Sequence, residues 1–280
     1  MRSVLAFVLL VGTGVFAAQA PPPLHVSRQS ATDLQIGSRY ITYQELLQLP
    51  QEKFPSDDSN FPKPAQLSGV SLQELKKLYG APGDLVVALC QDGYRSNYST
   101  AYLGAHHPVL VLTVDGKPQA QWPKSEDENH VGVDMGPYLI ADPHFKPSFK
   151  VLSHTDEPQI PFQVVKLEFR NEQQVFGAIA PHGNYAPGSP EVEGYRIAQQ
   201  NCFRCHNSGA EGGTKAQRPW TVLSTWATAS PDYFKAYIRD PKSKNPKSQM
   251  QSFPNYDAAT LNALTKYFQS FSDDGKSTKP

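Results

Sequence analysis

QQNCFRCHNSG, residues 199–209, sets Cys202 and Cys205 three positions apart and puts His206 directly after the second. The chain of 280 residues holds only 3 cysteines, so most of its thiols fall in this one short turn. Four chemistries use two thiols at this spacing: a disulfide, half of a zinc site, a redox dithiol and covalent attachment of haem. A zinc site needs four ligands and usually a second Cys or His pair at similar spacing. Here the nearest histidine is His182, upstream, and no second pair exists. A thioredoxin-like dithiol follows a strand in a βαβ unit, whereas this motif closes a helical pattern. A plain disulfide has no use for His206. Attachment of haem c uses all three residues: two thiols form thioethers and the adjacent imidazole ligates iron.

The N-terminus supports that choice. Arg2 precedes SVLAFVLLVGTGVFAAQA, an apolar stretch that is short, broken by glycine and closed by small residues. It reads as a signal peptide over residues 1–20, cut after Ala20 or Ala17. The product is expected to be periplasmic or secreted, with no stable membrane insertion, since no later apolar run approaches the length of a span. Lys and Arg number 26 and Asp and Glu 26, a balance that provides no overall field for nucleic acid. Gly at 19 and Pro at 25 indicate much turn and loop rather than a bundle.

Inward from the ends, the chain divides in character. Thr42 with Glu45 and Ser71 with Glu74 read as capping boxes on short helices, the second closed by Gly80. Leu85–Cys90, Val109–Val114 and residues 162–169 read as strands, and Asp115-Gly116 as a hairpin turn. Residues 118–160 show no clear period and are expected to be loops with short strands. This makes residues 33–170 an α+β domain, with 171–190 a linker. From 191 to 272 the signals are helical and no strand pattern is evident. EVEGYRIAQQ leads into the cysteines. Ser230 caps a helix begun by Pro231 and stopped by Pro241, and Leu261, Leu264, Tyr267 and Phe268 share a face of the last helix.

A haem iron that carries electrons takes a sixth ligand, and Met250 in KSQMQSFPNY is the only methionine beyond the motif. Residues of about 190–272 resemble the class I cytochrome c family through GYRIAQQNCFRCH, RPW, SQMQSFP and TLNALTKYFQSF. The resemblance implies one covalent haem c held by Cys202 and Cys205, with His206 and Met250 as axial iron ligands. It implies that the Pro219 carbonyl orients His206 and that Gly194 lets the last helix approach. Separately, a module of roughly 80 residues with few large apolar side chains has a marginal core, so Trp220 and Trp226 are expected to pack near the haem. One departure is Gln251, where the family usually has proline. The expected function is one-electron transfer between protein redox partners, in a chain that does no bond-making chemistry of its own. Basic residues Arg239, Lys242, Lys244, Lys247 and Lys266 cluster around the Met250 segment in sequence, so an acidic partner is expected there.

Residues of about 65–170 resemble, through GVSLQELKKLYG, LVVALCQDGYRSNYS, VLVLTVDGKP and MGPYLIADP, the sulfite-oxidase-type molybdopterin-binding fold. In active members a cysteine at such a strand end ligates molybdenum, which singles out Cys90. The family's basic pterin contacts and longer loops are not evident, and TVDGKPQAQWPKSED replaces an apolar turn. Molybdopterin is therefore not expected, and Cys90 is expected to be a small buried hydrophobe. The alternative reading is a molybdenum-dependent oxidoreductase that passes substrate electrons to its own fused haem. His106, His107, His130 and His144 lack ligand spacing and are expected to be core or surface residues.

Overall fold

The computed structural model describes residues 20–80, 82–128, 130–143 and 145–275. The expected signal segment, apart from Ala20, and His144 lie outside the described residues. The N-terminal part is a mixed, sheet-rich α/β region and the C-terminal part is helical. Strands β1 (Leu34–Ile36), β2 (Arg39–Ile41), β3 (Glu52–Ser56), β4 (Ala65–Ser71), β5 (Leu85–Cys90) and β6 (Arg95–Ser99) are followed by β7 (Val109–Val114), β8 (Lys117–Pro118), β9 (Leu139–Ala141), β10 (Lys150–Val151), β11 (His154–Thr155) and β12 (Val164–Arg170). Among them lie helices α1 (Tyr43–Leu46), α2 (Leu72–Tyr79) and α3 (Thr100–His106).

Two sheets result. The first runs β2-β1-β12-β5-β6, with β1 parallel to β12 and every other pair antiparallel. The second runs β3-β4-β7-β8, with β9 also paired to β7. The Asp115-Gly116 turn joins β7 to β8 with φ of 52° and 72°, the positive values that a tight two-residue hairpin requires. Thr42 and Glu45 form a complete capping box on α1. At α2 the half donated to Ser71 is present, while Glu74 faces Lys77 at 3.3 Å.

Strand β5 shows what the apolar run at 85–90 is for. Val86, Ala88 and Cys90 point into a core between the two sheets, with Leu34, Ile41, Tyr98, Leu110, Leu112 and Leu167. Leu85 and Val87, on the opposite face, enter a second core made by the C-terminal helices. A strand buried on both faces needs no polar alternation. Each such aliphatic side chain contributes about 1.5–3 kcal/mol when fully buried.

The helical part contains α4 (Glu172–Gly177), α5 (Pro190–Gln200), α6 (Trp220–Ala229), α7 (Pro231–Arg239), α8 (Pro241–Lys244) and α9 (Ala258–Gln269). The stretch expected as a linker carries α4, whose Val175 and the following Ile179 are fully buried in the helical core. A two-strand ribbon, β13 (Asn207–Ser208) with β14 (Glu211–Gly212), lies where no strand was expected. Helices α5 and α9 cross closely at Gly194, where an added Cβ would lie 2.2 Å from the Ala263 carbonyl oxygen. This is the close approach expected of that glycine. Pro241 does more than stop α7: Asp240 caps a further short helix that Pro241 begins.

Candidate functional site

Helix α5 delivers the motif. Ser189 caps its start and Pro190 opens its first turn. Beyond Gln200 the backbone keeps turning: the Cys202 amide donates to the Ala198 carbonyl at 3.0 Å and the His206 amide to the Cys202 carbonyl at 2.9 Å. Phe203 points inward, fully buried, and its ring meets Trp220 edge-on at 5.6 Å. Cys202 and Cys205 are free and half-buried. Burial pushes the Cys202 thiol up to about 12, so it stays a neutral thiol at ordinary pH.

The imidazole of His206 is buried, and its Nδ1 lies 2.6 Å from the carbonyl oxygen of Arg218. A carbonyl only accepts, so Nδ1 carries the proton and Nε2 keeps its lone pair free for a metal. Burial also lowers the pKa of the ring, which favours the neutral ligand form. The acceptor is one residue earlier than the expected Pro219. Pro219 is the N-cap of α6, and its carbonyl already accepts from the Val222 amide at 2.9 Å. The helix takes that oxygen and leaves the one before it for His206.

Met250 is half-buried against the same apolar core that Cys202 borders. Its amide donates to Ser248 Oγ at 3.3 Å, and Ser248 in turn accepts from the Tyr237 hydroxyl at 3.0 Å. Trp220 is a core residue packed on Phe268 at 4.9 Å. Trp226 is half-buried, with the Arg218 guanidinium 4.7 Å from its ring centre. Cys202 and the Met250 thioether border one apolar core, and with the neutral His206 imidazole and the Cys205 thiol they make up a donor set whose chemistry fits a covalently held haem.

The segment 207–218, Gly-rich and polar, joins the motif to the sheets. The edge strand β6 donates its Arg95 amide to the Arg204 carbonyl at 2.9 Å, and the Thr214 amide donates to the Gly93 carbonyl at 2.8 Å. Gly93 has φ +84°, and a Cβ there would meet Thr214 Oγ1 at 2.5 Å. Glu211 sits between two guanidinium groups, 2.8 Å from Arg95 and 2.5 Å from Arg170. Lys215 reaches Asp92 at 2.7 Å. A further chain of bonds runs from Tyr256 Oη to His154 Nδ1 at 3.0 Å, from His154 Nε2 to Gln200 at 2.9 Å, and from Gln200 to Asp156 at 2.9 Å. Only the pairing of structure across the chain reveals these contacts; no local spacing announces them.

Cys90 ends β5 in the core between the sheets, 6% exposed, and burial pushes its thiol pKa well up. His106 is buried against Asp156 at 3.1 Å, His107 is exposed, and His130 faces Asp127 at 3.4 Å. Among the described residues no group of three or more His, Cys, Asp or Glu could hold a metal ion. No helix among them is long and apolar enough to cross a membrane.

Residues 190–268 match the family model described as cytochrome C oxidase, cbb3-type, subunit III. Among solved structures, the chain is similar to the sulfane dehydrogenase SoxCD from Paracoccus pantotrophus, with 13% identity and a TM-score of 0.34. That likeness covers 52% of this chain and 40% of the other, so the chain spans well under two thirds of its length. No curated protein matches the chain.

Proposed function

We propose that this chain, a cytochrome c domain fused to an N-terminal α+β domain, is an exported monohaem cytochrome that passes single electrons between protein partners. In this reading residues 1–20 are a signal removed on export, 33–170 the first domain, 171–190 its connection, and 191–272 the haem-bearing domain. Cys202 and Cys205 hold the porphyrin, and His206 and Met250 ligate the iron. The observation that carries the reading is the buried His206 ring, whose Nδ1 is committed to the Arg218 carbonyl. That bond leaves a neutral Nε2 as ligand and fixes the plane in which it points. Bound haem c supplies one-electron chemistry. The chain's own residues orient His206, keep its ring uncharged and present a neutral thioether that favours the reduced metal.

The second reading, a molybdenum-dependent oxidoreductase feeding its own haem, draws on the place of Cys90 beside the Gly93–Arg95 turn that meets the motif. Against it, the Cys90 thiol is packed in an apolar core where its ionised, ligating form is disfavoured. Metal analysis of the exported, full-length protein decides between them. The first reading expects one iron and no molybdenum per chain, with haem that stays on the denatured polypeptide through acid–acetone extraction. Haem that leaves with the solvent overturns the attachment, and stoichiometric molybdenum promotes the second reading. Met250→Ala is expected to retain the haem, lose the methionine–iron charge-transfer band and lower the reduction potential. An unchanged spectrum and potential would assign the sixth position to another residue.

A further inference from the structure

The segment that carries Met250 is anchored twice to a single turn of α7. Ahead of Met250, Ser248 Oγ accepts from the Tyr237 hydroxyl at 3.0 Å and from the Met250 amide at 3.3 Å. Beyond it, the Phe253 amide donates to the Ile238 carbonyl at 3.1 Å. Tyr237 also meets the other side of the site. Its oxygen lies 3.5 Å from Nη1 of Arg218, whose guanidinium stands 5.6 Å from the centre of the Tyr237 ring and whose carbonyl holds His206. One hydroxyl therefore lies between the residue that orients His206 and the residue that bonds the Met250 amide.

The chemistry fixes the direction of each bond. A guanidinium only donates, so the tyrosine oxygen accepts from Arg218 and its own proton is left for Ser248. Bonds in such a chain polarise and strengthen one another, and here the first donor is charged. Packing alone does not call for the oxygen. Tyr237 is 5% exposed, its ring meets Trp226 at 5.7 Å and Tyr233 at 5.9 Å, and a phenylalanine ring would make the same contacts. A buried hydroxyl is costly unless bonded. The Arg218 end is stiff as well, since the following Pro219 confines its backbone to extended conformations. We infer that Tyr237 is a positioning residue, a brace whose hydroxyl holds the Met250 segment in register with the Arg218 carbonyl that fixes His206.

The inference deepens the proposed function and rests on its assignment of Met250 to the iron. A bond made only while the loop is closed shifts the balance of open and closed forms by its own strength, about three- to tenfold for one buried hydrogen bond. The test uses full-length, haem-loaded ferric protein titrated with imidazole, whose nitrogen replaces the Met250 sulfur without change of oxidation state. Loss of the methionine–iron charge-transfer band reads the exchange. Tyr237→Phe keeps the ring and is expected to bind imidazole about three- to tenfold more tightly than wild type. Ser248→Ala is expected to do the same, and the double variant no more than either alone. Ser248→Thr keeps the hydroxyl and is expected to match wild type. Hydrogen exchange at the Met250 amide, which needs no assignment of the iron ligand, is expected to quicken in Tyr237→Phe. Met250→Ala separates the two readings. Where it binds imidazole more tightly than wild type, the ligand reading holds. Equal affinity or equal amide exchange in wild type and Tyr237→Phe, or additive effects in the double variant, then overturns the brace. Where Met250→Ala binds imidazole as wild type does, the ligand reading falls, and amide exchange alone decides the brace.

Discussion

The segment around Cys205 and the loop around Met250 are held by opposite means. At Cys205 the backbone is tied to an edge strand through Arg204 and Thr214, and Glu211 is clamped between two arginines. At Met250 the main support is a serine that accepts from its own amide and from Tyr237. Around that loop Lys242, Lys244 and Lys247 stand exposed. One side of the cytochrome domain is therefore built into the sheets while the other is left open. In the proposed function the difference separates two tasks: the seam would carry stability, and the Met250 side would meet a partner.

Breaking the seam gives the largest effect. Glu211→Ala leaves Arg95 and Arg170 facing each other with their shared carboxylate gone, Arg95 at 5% side-chain exposure. A loss of about 3–5 kcal/mol is expected in urea or thermal unfolding, the usual cost of stranding buried charge. Unfolding changed by less than about 1 kcal/mol would mean that the seam is not where stability resides.

A smaller effect sharpens the same side by pH. Burial raises the Asp142 carboxyl from 3.8 to about 6, against the opposing pull of hydrogen bonds from Tyr102 and the Gln159 amide. The folded chain then keeps a proton that the unfolded chain releases between those values. Stability is expected to fall by up to ~3 kcal/mol as pH rises from about 4 to about 6, and to stay lower above. Asp142→Asn removes that part of the slope. Urea midpoints collected across the window check it, and identical slopes in the two proteins refute it.

The smallest effect on stability, and the one specific to the open side, comes from changing Lys242, Lys244 and Lys247 to Gln. Unfolding is expected to shift by less than about 0.5 kcal/mol. Oxidation by the anion ferricyanide, followed by stopped flow, is expected to slow several-fold at low salt. The two rates should converge as salt shortens the screening length to about 8 Å at physiological strength. Equal rates at low salt would make the loop merely solvated surface.

What could be read from the sequence was local. β5 and β7 coincide with their apolar runs, and α7 begins at Pro231 as expected, although the Ser230 side chain makes no capping bond. The motif's chemistry was legible because thiols and imidazole sit within one turn. Helix α6 was not legible: WTVLSTWATA is rich in β-branched and aromatic residues of low helix propensity, its N-cap is a proline without a side-chain bond, and packing makes it a helix. The choice of Arg218 over Pro219 turned on that same unseen helix. The joining role of 207–218 was illegible for a different reason, since its partners Asp92, Arg95 and Arg170 lie far away along the chain.

The two-faced burial of β5 bears on the order in which the molecule is made. Leu85 and Val87 emerge from the ribosome long before the helices whose core they complete. Until α5 and α9 arrive, that face of the sheet has nothing to cover it and is a liability for a nascent chain. The helical half released by a protease cut in residues 171–190 has the converse defect, because it leaves behind Leu85, Val87 and Val151, side chains of its own interior. Neither half is a module that can be lent to another protein intact, and a recombinant version of the helical half needs those positions supplied from elsewhere.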